Sequence, residues 1–342
     1  MRYIIIGAGA IGGTVGGRLA EFGHEVVLVA RGAHHDALRD EGLRLTTTEG
    51  TRTHRLPVVT GPAELGELRA DDVLFLAVKT QDSTAALDAW SGRPVAGGGT
   101  AGQRLPLVCA QNGVESERMA LRRFRRVYAM CVYLPASHVE PGAVAAPNGP
   151  YTGMLHLGRY PHGTDGTAAQ IAADLESAKF LAPVVPDVLR WKYGKLLSNL
   201  ANAIEAATGT IKDDAGRALF ARARAEGEAV LAAAGIEVAG DAEQQEARAE
   251  VRFDPFDGSE RGGGSSWQSL TRGTGTIESD YLNGEIALLG RLHGVATPVN
   301  DALQEVANAF ARERRPAGSM TVAELTELVE RAEPVADTDP GA

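Results

Sequence analysis

Residues 2–32 read RYIIIGAGAIGGTVGGRLAEFGHEVVLVARG. An apolar run at 2–6 is followed by glycines, a helix-patterned stretch at 11–22 and a second apolar run at 25–30. Strand, turn, helix and strand within roughly thirty residues make a βαβ unit. Its two strands must lie parallel, so the chain is expected to build a doubly wound α/β sheet. The turn, Gly7-Ala8-Gly9-Ala10-Ile11-Gly12, has the spacing G-x-G-x-x-G. Gly7 permits a tight turn, Gly9 lets backbone approach a pyrophosphate, and Gly12 lets helix pack close to strand. The helix N-terminus presents N–H groups and partial positive charge to phosphate. Gly7, Gly9, Ala10, Ile11 and Gly12 are therefore candidate cofactor-binding residues. The alternative is a glycine-rich turn with no ligand.

The second strand ends in Ala30-Arg31-Gly32, with no Asp or Glu to bond a ribose 2′-hydroxyl. Arg31 instead offers charge-assisted hydrogen bonds to a 2′-phosphate, which favours NADP(H) over NAD(H). The plainer reading of Arg31 is a solvated charge at a strand end.

The α/β pattern continues. LRLTTT and RLPVV read as a β pair joined by EGT, Val73–Val78 and Leu105–Ala110 as buried strands, and STAALDAW between them as helix. Residues 127–160 read as an antiparallel extension, Thr167–Leu181 as an amphipathic helix and APVVPDV as a last short strand. After Pro186, helical periodicity takes over at 187–208, 213–235, 278–294 and 297–314, and strand signals disappear. The expected domains are 1–186 for the dinucleotide, 187–330 helical and carrying substrate and catalytic groups, and a disordered tail at 331–342. Phe253–Ser266 (FDPFDGSERGGGSS) reads as a loop.

A net charge of −10 argues against nucleic acid as a partner, because phosphate contacts need clustered Lys and Arg. The one basic run, Arg122–Arg126, reads as a solvated helix end. A small anion remains compatible, since a few cations can dominate one cleft. The two cysteines, Cys109 and Cys131, sit in apolar runs and read as buried thiols. No zinc-type cysteine spacing and no cluster among the eight histidines suggests a metal. No membrane-length apolar stretch and no signal peptide are found, so a cytoplasmic protein is expected. Helices at 213–235 or 297–314 offer faces for a homodimer, or equally for burial against the first domain.

Ketone reduction needs a proton donor to the oxygen and groups that hold the carbonyl in place. In WKYGKLLSNLANAIEA, Lys195, Asn199 and Asn202 fall at i, i+4 and i+7, on one helix face. A polar solvent face would look the same. Lys192, one turn earlier, is a rival proton donor. Ser265 and Ser266 precede WQSL at a helix start, where hydroxyls and free N–H groups suit a carboxylate. A simple N-cap is the other reading of Ser266, and a helix-surface carboxylate that of Glu278.

At this point the chain resembles the ketopantoate reductase (2-dehydropantoate 2-reductase) family. The resemblance rests on GAGAIGG at 7–13, Val78-Lys79-Thr80-Gln81, Gln111-Asn112-Gly113, Lys195-Leu196 with Asn199, Ser265-Ser266, Glu278, and Asp280-Tyr281-Leu282-Asn283-Gly284. It implies that Lys195 is the general acid and that Glu278 orients lysine and substrate. Asn112 would lie where nicotinamide meets substrate, Lys79 on the cofactor side, and Arg31 at the 2′-phosphate. Asn199 and Ser266 would contact substrate, with Asn202 as a further candidate amide. Two departures border the pocket: Ala203 stands where a second asparagine is usual, and the loop before Ser265 is long. The expected activity is NADPH-dependent reduction of a small anionic 2-oxo acid, ketopantoate first, in pantothenate and coenzyme A biosynthesis. Another 2-oxo acid or an opine-type substrate is the alternative, and a non-enzymatic NADPH sensor the third.

Overall fold

A computed structural model describes residues 1–138, 140–254, 263–273 and 275–332. The chain divides into two compact units, Met1–Gly194 with Val238–Glu260, and Lys195–Glu237 with Arg261–Ala342.

The first unit opens as the sequence predicts, with β1 (Arg2–Ile6), α1 (Ala10–Glu21) and β2 (Glu25–Val29). There follow α2 (Gly32–Asp40), β3 (Leu43–Thr47), β4 (Gly50–His54), β5 (Val58–Val59), β6 (Asp72–Leu76), α3 (Ser83–Ser91), α4 (Ala101–Arg104) and β7 (Pro106–Cys109). The unit continues with α5 (Ser116–Leu121), β8 (Arg126–Tyr133), β9 (Ala143–Ala146), β10 (Asn148–Pro150), β11 (Gly153–Arg159), α6 (Gly166–Ser177) and β12 (Phe180–Leu181). Eight strands form one sheet in the order β12-β11-β8-β7-β6-β1-β2-β5. Only the β8–β11 pairing is antiparallel, which places the expected antiparallel extension at one end of a parallel sheet.

The central strands read as unbroken apolar runs because both faces are covered. Along β1, Tyr3 and Ile5 enter one core with Val15, Leu19 and Ile171 of the helices. Ile4 and Ile6 enter the other, with Leu87, Trp90 and Ala120. The expected pairing of LRLTTT with RLPVV is corrected. Leu43–Thr47 pairs with Gly50–His54, and Val58–Val59 joins β2 instead. The Thr48-Glu49 turn is the reason. It leaves no room for a longer hairpin loop, and Arg18, 2% exposed, bonds Glu49 at 3.0 Å.

The second part begins with α7 (Val188–Asn199), α8 (Ala201–Thr208), α9 (Asp214–Ala233) and α10 (Asp241–Ala247). Then come β13 (Val251–Phe253), α11 (Ser265–Thr271), α12 (Asn283–His293), α13 (Pro298–Arg312) and α14 (Val322–Ala332). Strand character does not end at Pro186: β13 pairs antiparallel with β10. The expected helix at 187–208 is interrupted at Leu200, whose carbonyl accepts from Asn283 Nδ2 at 3.3 Å. In the helical unit, α9 approaches closely at Gly227, where an added Cβ would fall 2.7 Å from Leu197 and 3.1 Å from Leu200. Glu226 accepts the backbone N–H groups of Val299 and Asn300 at the start of α13. The expected tail is corrected at its start, because Arg331 and Ala332 belong to α14. Thr321 and Glu324 cap that helix reciprocally. Residues 333–342, and 255–262 of the expected loop, lie outside the described residues.

Candidate active site

β7, β6, β1 and β2 are adjacent and parallel, so all four leave the sheet at one edge. Asn112 follows β7, Lys79 follows β6, the glycine turn follows β1 and Arg31 follows β2. Three strand spacings separate the first from the last, about 14 Å. In a doubly wound sheet this C-terminal edge, where the strand order reverses, is where ligands lie.

The three glycines differ in what surrounds them. Gly7 has φ +101°, and an added Cβ would stand 2.7 Å from Val78 N. Both Gly7 and Ala8 donate N–H bonds of 3.1 Å to the Val29 carbonyl, tying the turn to β2. At Gly12 a Cβ would stand 2.1 Å from the Gly7 carbonyl oxygen. Gly9 is open: its chain neighbours apart, His138 Nδ1 is the one atom of the described residues within 4 Å of an added Cβ, at 3.9 Å. Two glycines thus fix the turn and the third leaves backbone accessible. The first N–H groups of α1 lack intrahelical partners, which fits a phosphate. Arg31 immediately precedes α2, is exposed and forms no ion pair among the described residues.

Lys79 and Asn112 are both half-buried. Gly113 at φ +72° turns the chain after Asn112, and Gln111 Nε2 donates to Ser83 Oγ at 3.2 Å beneath it.

In the helical unit, Lys195 is half-buried on α7. Asn199 Oδ1 is buried without a hydrogen bond among the described residues. Asn202 opens toward α11, with Nδ2 3.5 Å from Ser265 Oγ. Ser266 and Glu278 are 3% and 4% exposed, which removes the surface-carboxylate reading of Glu278. One expectation is corrected: the N–H groups ahead of Ser265 are not all free, because Gly264 N donates to Glu205 Oε2 at 3.1 Å. A carboxylate of the chain already sits at that helix start.

Two residues escaped the sequence reading. Glu205 lies three residues after Asn202, on the same face of α8. Arg272, at the end of α11, is half-buried and 3.5 Å from Ser269 Oγ. Burial lowers its pKa, while the charge of Glu278 acts in the opposite direction. The signal available was a lone arginine six residues after Ser266 and six before Glu278. Among the described residues no group of His, Cys, Asp and Glu could hold a metal ion. No helix among them is long and apolar enough to cross a membrane.

Sequence and structure comparisons cover both halves. The family pattern "Ketopantoate reductase PanE/ApbA" matches residues 3–161, and its C-terminal counterpart matches residues 187–311. The 2-dehydropantoate 2-reductase of Mesorhizobium japonicum is 30% identical, over 92% of this chain and 99% of its own length. That of Pyrococcus horikoshii is 24% identical, over 90% of this chain and 97% of its own. A PanE/ApbA family ketopantoate reductase from Ralstonia eutropha JMP134 superposes with a TM-score of 0.74 at 27% identity, covering 92% of this chain and 100% of its own. A D-mandelate dehydrogenase, solved with NADH and anilino(oxo)acetate, shares the fold at a TM-score of 0.76 and 23% identity, with coverage of 92% and 100%. An α/β sheet with the glycine turn at its edge, followed by a helical half, is the order in which both patterns match, and the chain belongs to the ketopantoate reductase family of oxidoreductases.

Proposed function

We propose that the protein reduces a 2-oxo acid to the 2-hydroxy acid with NADPH, ketopantoate to pantoate being the favoured reaction, in pantothenate and coenzyme A biosynthesis. The observation that carries this reading is the row Asn112, Lys79, glycine turn, Arg31 along one sheet edge. It matches the extended shape of a dinucleotide, with Arg31 toward the 2′-phosphate and Asn112 toward the nicotinamide. Relatives named 2-dehydropantoate 2-reductase support the substrate.

A dinucleotide held along this edge would supply the hydride for the carbonyl carbon. The protein does the rest. Lys195 donates the ammonium proton to the oxygen as negative charge develops there, so ketone, hydride and proton sum to the alcohol. Glu278, buried and acidic, orients the lysine and favours its charged form. Asn199 offers an unused buried amide oxygen to a substrate hydroxyl, and Ser266 offers a hydroxyl to the carboxylate. Arg272 adds positive charge on the Glu278 side.

A specific observation favours a second reading, another 2-oxo acid. Ala203 replaces an amide, and Glu205 brings a carboxylate to the start of α11. That carboxylate would accept from a cationic or N–H-bearing side chain, which ketopantoate lacks. The deciding experiment follows oxidation of NADPH and of NADH with a panel of 2-oxo acids. Ketopantoate turning over fastest, and with NADPH preferred, is the expected result. Preference for a different acid would move the substrate, and no turnover of any would sink the reading.

A further inference from the structure

The loop after β8 returns to the glycine turn. His34, on α2, receives the Gly142 N–H at Nδ1, 2.9 Å away. Its proton must then lie on Nε2, which donates to the Ala8 carbonyl at 2.8 Å. This neutral imidazole thus joins the second residue of the glycine turn to the loop at 134–142. Gly142 has φ +76°, a conformation that lets its N–H point back to the ring. His138, on the same loop, packs on His34 with ring centroids 4.1 Å apart and planes at 47°. Its Nδ1 lies 3.9 Å from where a Cβ on Gly9 would stand.

We propose that His138 is a cofactor-binding residue: its imidazole closes the open side of the glycine turn and hydrogen-bonds the pyrophosphate of the dinucleotide, held there by His34. The inference rests on the dinucleotide reading above. A phosphate that approaches Gly9 closely, as this spacing of glycines permits, enters the space where a Cβ would stand. Among the described residues, His138 is the side chain within 4 Å of that space, Gly9's own chain neighbours apart. His138 Nδ1 donates to a phosphate oxygen in the imidazolium and in the Nδ1–H tautomer of the neutral ring. His34 cannot substitute, since both of its nitrogens are committed to backbone. It acts as a positioning residue, fixing the height of the loop above the turn.

The experiment compares wild type, His138→Ala and His138→Gln by titration calorimetry with three probes. NADPH and ADP-ribose contain the pyrophosphate, whereas 2′-AMP carries adenosine and the 2′-phosphate without it. The alanine variant is expected to weaken NADPH and ADP-ribose by about tenfold, with 2′-AMP within twofold of wild type. Glutamine, which keeps an N–H donor, recovers part of the loss. Equal affinities for all three probes in both variants would overturn the assignment, and so would equal weakening of all three, which marks collapse of the turn. If the alanine variant does not fold, the glutamine variant decides alone: weakening confined to the pyrophosphate-bearing probes supports the assignment, and unchanged affinity overturns it. Wild type binding none of the probes overturns the dinucleotide reading together with this one.

Discussion

Lys192 and Glu117 form an ion pair in which both side chains are almost fully removed from solvent. The partner accounts for Lys192, the rival proton donor one turn before Lys195, and gives it a structural task within the first unit. It ties the start of α7 to α5, close to Cys109, whose thiol is pushed up by burial and by the Glu117 charge. Removing one partner leaves a buried charge uncompensated. Lys192→Ala should cost about 3–5 kcal/mol, while Lys192→Met with Glu117→Leu should cost much less. Urea unfolding of the three chains checks this, and equal losses in both variants would contradict it.

Lys195 is expected to behave differently. Lys195→Ala should lower kcat by about 10²–10⁴ and leave the dissociation constant for NADPH nearly unchanged. Stopped-flow hydride transfer and cofactor titration separate the two, and an unaltered rate would remove the lysine from the proton-transfer role.

The glycines should separate in the same way. Gly9 has φ −72° and open space, so Gly9→Ala should fold normally and bind dinucleotide poorly. Gly12→Ala places a methyl against the Gly7 carbonyl and should lose stability, by about 1–3 kcal/mol or more. Thermal melts with cofactor titration test the pair. Equal behaviour of the two variants would mean that the turn is merely structural.

Arg31→Ala should weaken NADPH by roughly ten- to a hundredfold, the worth of charge-assisted hydrogen bonds, and leave NADH within about twofold. Affinity for the two cofactors falling together would argue that no 2′-phosphate is read there.

Acid should weaken the first unit through His156. The ring lies 3.9 Å from Trp191, centroid to centroid and nearly parallel, and burial pushes its pKa down to about 4. Above about pH 6.5 neither the folded nor the unfolded chain is charged at this residue. Between about 6.5 and about 4 the unfolded chain takes up a proton and the folded one does not. Stability therefore falls with pH across that window, by about 3 kcal/mol at most. His156→Phe keeps the stack and should flatten the loss between pH 6.5 and 4.5 in denaturant melts. A slope as steep as wild type would assign it to other groups.

The first βαβ unit could be read from sequence because its signals are local. Apolar runs of strand length, glycines at fixed offsets and a helical period all lie within a few turns of one another. The row of Asn112, Lys79 and Arg31 was legible for a related reason, since each follows a readable strand end. What escaped depends on partners far along the chain. β13 has three residues, and its pairing with β10 spans about a hundred positions. Nothing local marks His34 as a clasp, since its partners Ala8 and Gly142 lie on either side of it in sequence. Glu205 belongs to no sequence motif, and only the packing of α8 against α11 gives it its backbone partner. The α14 start, by contrast, carries a local signal, the Thr-x-x-Glu capping box of Thr321 and Glu324.

The strand β13 has a practical consequence for anyone dividing this gene. Residues 238–260 return to the first unit, so the chain passes between the units three times rather than once. A fragment ending at Gly194 would lack Gln244, which accepts from the buried Tyr133 hydroxyl, and would bare the edge of β10. Cutting at a single point cannot yield two intact pieces. A spliced chain that carries 238–260 along with 1–194 keeps β10 paired with β13 and Tyr133 bonded to Gln244.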